Sequence, residues 1–101
     1  MNAGEMAWLF GEVGDSNDGK GWRVRAKGSN MKMTVFFNER LVGRLWLPGS
    51  RSRPTFTGGS PETFYLPGPW FRDGANRLAV LLEAFEGEAV SRLDGLTFVP
   101  V

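Results

Sequence analysis

The chain has no cysteine and no histidine among its 101 residues. Without cysteine there is no disulfide framework and no thiolate metal site. Without either residue, Ser-His and Cys-His nucleophilic pairs and most zinc centres are excluded. No apolar run is long enough to span a bilayer, so no membrane segment is expected. Charge of one sign is also lacking: Lys and Arg number 12 against 11 Asp and Glu, a formal net charge of +1. Phosphate binding needs a concentrated basic surface, so nucleic acid is not an expected partner. The first residues carry Glu5 with no basic region ahead of them, which is not the pattern of a signal peptide. An initial Met before small residues is the expected start of a piece of something longer. The compartment stays undetermined.

What is present is turn chemistry and short apolar runs. Hydrophobic residues make up 42% of the chain and charged residues 23%, the balance of a globular chain of one domain, 1–101. Fourteen glycines and six prolines cut it into pieces too short for helices, and no stretch holds a 3.6-residue apolar period over three turns. Period two does appear. Trp22, Val24 and Ala26 alternate with Arg23, Arg25 and Lys27, the mark of a half-buried strand with one charged face. Met33 to Phe37 is β-branched and aromatic and runs into a tight turn at Asn38-Glu39-Arg40, from which Leu41 to Leu47 returns as a second strand. Phe64 to Leu66 is a short strand closed by Pro67-Gly68-Pro69. Arg77 to Phe85 is nearly continuous in Leu, Val and Ala and is expected inside its sheet. Glu86-Gly87-Glu88 turns the chain into a last strand, Leu93 to Val99. Ala7 to Val13 is a weaker strand candidate.

Two loops break this pattern. Pro48 to Ser60 is long and polar. Trp70 to Asn76 fits one helical turn, stopped by Gly74 in a left-handed conformation. Asp15-Ser16-Asn17-Asp18-Gly19 has the oxygen ligands of a calcium loop without its bidentate glutamate, and an Asx-rich turn is the better reading. Short strands, frequent turn signals and no helix predict an all-β, antiparallel sandwich or barrel.

From Phe37-Asn38 and Gly43-Arg44-Leu45-Trp46, through Tyr65-Leu66-Pro67 and Pro69-Trp70-Phe71, to Gly74-Ala75-Asn76-Arg77 and Leu82-Glu83, the chain resembles the C-terminal jelly-roll modules of family 35 glycoside hydrolases, the β-galactosidases. The resemblance covers residues 33–99 and implies a galactose-binding-like jelly roll. The segment before residue 30 is short for a complete one, so one or two strands are expected to be missing or supplied by a neighbouring domain. Where that family has Val-Asn-Gly, Glu39 replaces the glycine, so Asn38 is expected to accept unusual backbone geometry. The family's Gly-Pro-Gln is absent between Trp46 and Phe64. The resemblance further implies a non-catalytic accessory module, since the family's catalytic glutamates sit in a separate barrel domain.

The residues themselves give the same expectation. Glycoside hydrolysis needs two carboxyl groups across a cleft, but most acids here fall in turns. Glu83 alone is expected near the core, accepting bonds from a loop or an arginine. Sugar recognition needs an exposed aromatic face with planar polar groups around it. Trp22 is assigned to the core. Trp46 and Trp70 flank loops and are expected together at one rim, with Arg44 on the strand face of Trp46 and Arg72 and Asn76 completing a polar cluster. These five residues form the candidate carbohydrate site. The alternative is that both tryptophans plug the open end of the core, with an arginine stem packed beside them. No metal site and no cofactor are expected. The expected partners are a galactose-containing glycan and the catalytic domain of a parent enzyme. The rival readings are a protein-interaction sandwich that docks through its charged face, and a free-standing lectin.

Overall fold

The structure, a computed structural model, describes residues 4–47, 62–85 and 91–100. Seven strands lie in these segments: β1 (Met6–Glu12), β2 (Trp22–Ser29), β3 (Met31–Phe37), β4 (Arg40–Trp46), β5 (Thr63–Leu66), β6 (Arg77–Ala84) and β7 (Arg92–Pro100). They form two antiparallel sheets, one in the order β1-β6-β3-β4 and the other β5-β2-β7. The fold is an all-β sandwich, as the alternation predicts. Loop Pro48 to Ser60 and turn Glu86-Gly87-Glu88 lie outside the described residues.

The core is made where the two period-two patterns face each other. Met31, Met33, Val35 and Phe37 of β3, Leu78, Val80 and Leu82 of β6, and Leu45 of β4 meet Val24 and Ala26 of β2 and Phe64 and Leu66 of β5. Trp22 packs at the margin of this core, edge-on to Phe98 with ring centroids 6.2 Å apart. β6 lies between β1 and β3, the interior place its composition predicts.

Chain direction changes at residues that tolerate positive φ. Asn30 alone separates β2 from β3, which belong to different sheets, and takes φ 51°. Its Nδ2 donates to the Phe85 carbonyl at 2.8 Å, and Ser91 Oγ donates to the Asn30 carbonyl at 2.7 Å. The β3–β4 hairpin turns through Asn38 (φ 48°) and Glu39 (φ 70°), the two left-handed residues of a type I′ turn. Asp15 to Gly19 is an Asx-rich turn, in which Asp15 Oδ1 accepts from the Asn17 N–H and Ser16 Oγ from the Gly19 N–H, both at 3.0 Å.

Two expectations are corrected. The single helical turn over 70–76 is instead a 3-10 turn over Gly68–Trp70. Pro69 supplies the fixed φ of a tight turn, while residues 71–76 stay irregular, with Gly74 at φ 88° as predicted. Glu83 is not buried. It sits on the outer face of β6, directly across from Lys32 of β3, with Nζ and Oε1 3.8 Å apart. An alternating strand cannot turn both Leu82 and Glu83 inward.

Candidate functional site

The loop from Phe71 to Asn76 closes one end of the sandwich and is tied to the β3–β4 turn by two asparagines. Asn38 Nδ2 donates to the Trp70 carbonyl and to Asn76 Oδ1, both at 2.9 Å, and Asn38 Oδ1 accepts from the Arg77 N–H at 2.9 Å. Asn76 Oδ1 also accepts from the Arg72 N–H at 2.8 Å, and its Nδ2 donates to the carbonyls of Arg72 (3.0 Å) and Gly74 (3.3 Å). Both amides are thereby occupied in holding the loop. Asn76 is buried, with little capacity left for a ligand.

Trp70 packs against the core, and the Arg40 guanidinium lies over its ring, 4.9 Å from the centroid. Phe71 packs on Phe37 with centroids 4.8 Å apart. Arg72 is exposed and donates from Nε to the Ala75 carbonyl at 3.1 Å. Beside it opens a polar hollow of about 310 Å³, lined by Asp15, Ser16, Phe71, Arg72, Asp73 and Asn76 among others. Its guanidinium, carboxylates and hydroxyl are of the kind that engage sugar hydroxyls.

The structure brings Trp70, Arg72 and Asn76 together but places Trp46 elsewhere. Arg40, over Trp70, opens β4 and Trp46 closes it. At about 3.3 Å per residue these ends stand roughly 20 Å apart. Trp46 lies across from Lys32, whose Nζ is 5.6 Å from the ring centroid. Arg44 shares that outer face, opposite Thr34, and is exposed. The single rim expected from sequence is therefore two separate places. Adjacency to loops in sequence did not say which end of the sandwich each loop occupies.

Two further surfaces stand out. On the three-stranded sheet, Arg23, Arg25 and Lys27 all point outward, and Arg25 and Lys27 line a groove of about 520 Å³ with Glu62, Thr97 and Val99. On the four-stranded sheet, Trp8, Phe10 and Phe36 form an outward aromatic cluster that sequence reading missed. Its signal was present, since Trp8 and Phe10 are two apart and so share a strand face.

No family model matches the chain. The human protein named Beta-galactosidase-1-like protein 2 is 36% identical over 59 residues, which is 58% of this chain and 8% of that protein. The chain is thus similar to a small part of a much longer β-galactosidase-like protein, and the match supports a relation to glycoside hydrolases.

Proposed function

We propose that this chain is a non-catalytic accessory module of a β-galactosidase-like glycoside hydrolase, of the galactose-binding-like jelly-roll type, and that it serves to brace the catalytic domain. The similarity over 59 residues to a protein in which they make up only 8% of the length carries this reading, because a module repeats at that scale while a whole enzyme does not.

The places of several acids support a reading without catalysis. Asp15 and Asp73 line one hollow, but both are exposed. A glycosidase general acid relies on an apolar pocket to keep its proton. Glu83 is engaged with Lys32, and Asp94 with Arg92 at 3.3 Å. Purified protein incubated with a chromogenic β-galactoside should release no chromophore; turnover that disappears in an Asp73→Asn variant would overturn the reading.

A second reading, weak galactoside binding, is favoured by the polar hollow at Arg72, Asp15 and Asp73. In an amide-shift titration with galactosides, binding there would move Arg72 and the Trp70 indole and leave Trp46 still. Movement at Trp46 and Arg44 would place the sugar at the other end of β4. No movement anywhere would leave bracing as the function.

A further inference from the structure

Strand β1 is the edge of the four-stranded sheet. It pairs with β6 along its whole length, yet all seven of its residues are exposed. Among the described residues the core includes residues of β6 and β3 and none of β1. Met6 is 60%, Trp8 52% and Phe10 63% exposed on the outer face, and Leu9 is 41% exposed on the inner one. Exposed edges are normally blunted by Lys, Pro or a bulge. β1 has none of these, and Glu12 at its end is its one charged residue. Among the described residues no strand lies on its other side.

The register with β6 fixes which backbone groups face that open edge. The Val13 N–H donates to the Asn76 carbonyl at 2.9 Å, directly past the Glu12–Arg77 pair. Hydrogen-bonded positions alternate along an antiparallel ladder. Ala7, Leu9 and Gly11 therefore turn their N–H and C=O groups toward β6, while Met6, Trp8, Phe10 and Glu12 turn theirs outward.

We infer that two copies of the chain join through antiparallel β1 strands about a two-fold axis at Leu9, making one continuous sheet of eight strands from the two four-stranded sheets. In this register the outward groups of Trp8 bond those of the partner's Phe10, and those of Met6 bond the partner's Glu12. Ala7 faces the partner's Gly11, and Leu9 faces the partner's Leu9 as a non-hydrogen-bonded pair. Every residue of β1 is paired, and no like charges meet. Trp8, already stacked with Phe10 at 5.8 Å and 10° within its own strand, gains the partner's Phe10 across the joint, a favoured cross-strand pairing. A shift by two residues loses paired positions and breaks this match. The two-fold operation closes the assembly at a dimer, since each copy uses its β1 once. The inference does not depend on the galactosidase reading, since a monomer and a dimer can each serve as a module.

Sedimentation of the 101-residue chain from low to high micromolar concentration should show a reversible monomer–dimer equilibrium. The absence of native cysteine makes the register directly testable. Non-hydrogen-bonded partners have Cα atoms about 4.5 Å apart, within disulfide range. Leu9→Cys should therefore cross-link under mild oxidation, roughly tenfold faster or more than Ala7→Cys, whose two copies lie several residues apart. Leu9→Lys and Leu9→Glu should each be monomeric and folded by circular dichroism, and their mixture should form a heterodimer. A wild-type chain that stays monomeric throughout, equal cross-linking at positions 7 and 9, or a Leu9→Lys variant that still dimerises would overturn the inference.

Discussion

At the tip of the β3–β4 hairpin, Asn38 and Glu39 both hold positive φ, 48° and 70°. Asn tolerates this region, but Glu does so at a cost, because its Cβ crowds the backbone there. Glycine at the second position of a type I′ turn removes that crowding. Glu39→Gly is expected to raise stability by about 0.5–1 kcal/mol, read as a higher urea midpoint at unchanged slope. The neighbouring Asn76 shows the opposite case. Its amide is buried and bonds Asn38, Arg72 and Gly74. Asn76→Ala strands the Arg72 N–H and two carbonyls and removes one of the two acceptors of Asn38 Nδ2, and should cost about 2–3 kcal/mol. Arg72→Ala, at an exposed residue with one local bond, should change stability by less than about 0.5 kcal/mol. If the two variants destabilised equally, the asparagine clasp would not be what holds this loop.

Among the elements, β2 is paired on both sides, by β5 and by β7. Its register with β7 shifts between Lys27 and Gly28, which pair with Gly95 and Leu93, so Asp94 is the extra residue and β7 bulges there. A Cβ built on Gly28 would run into the Arg92 carbonyl of β7. Backbone on a paired strand cannot retreat as a flexible side chain would. Gly28→Ala is therefore expected to destabilise by about 1–3 kcal/mol through overpacking, with loss of amide protection concentrated in β2 and β7 as the distinguishing measurement. The Lys32–Glu83 pair on the other sheet is of smaller consequence. Both side chains keep about a quarter of their surface in water, and a double-mutant cycle should give no more than about 1 kcal/mol.

At the scale of the whole molecule, stability depends on one layer of apolar side chains between two sheets of unequal width. A chain of this length is expected to be stable by only about 5–15 kcal/mol. Phe37 is fully buried and packs against Phe71. Phe37→Ala should cost about 3–5 kcal/mol and bring the thermal midpoint down by at least ten degrees or so. A small shift would mean that the loop end of the core relaxes to fill the space. Among the described residues the unequal sheets leave β1 outside the core.

Strand positions, the hairpin at residues 38–40, the interior place of β6 and the left-handed Gly74 were legible in the sequence, because period-two alternation and turn chemistry are local properties of the chain. Burial of Val24, Val35 and Val80 follows from that alternation once two sheets face each other. The sequence could not tell which end of the sandwich each loop would close. Trp46 and Trp70 both border loops in sequence, yet the length of β4 parts them, because that separation depends on sheet order. Nor could it tell that Asn76 would be used up as a clasp, or that Trp8 and Phe10 would lie exposed at the edge of a sheet. Such features depend on which residues distant in the chain become neighbours, and only long-range pairing between strands decides that.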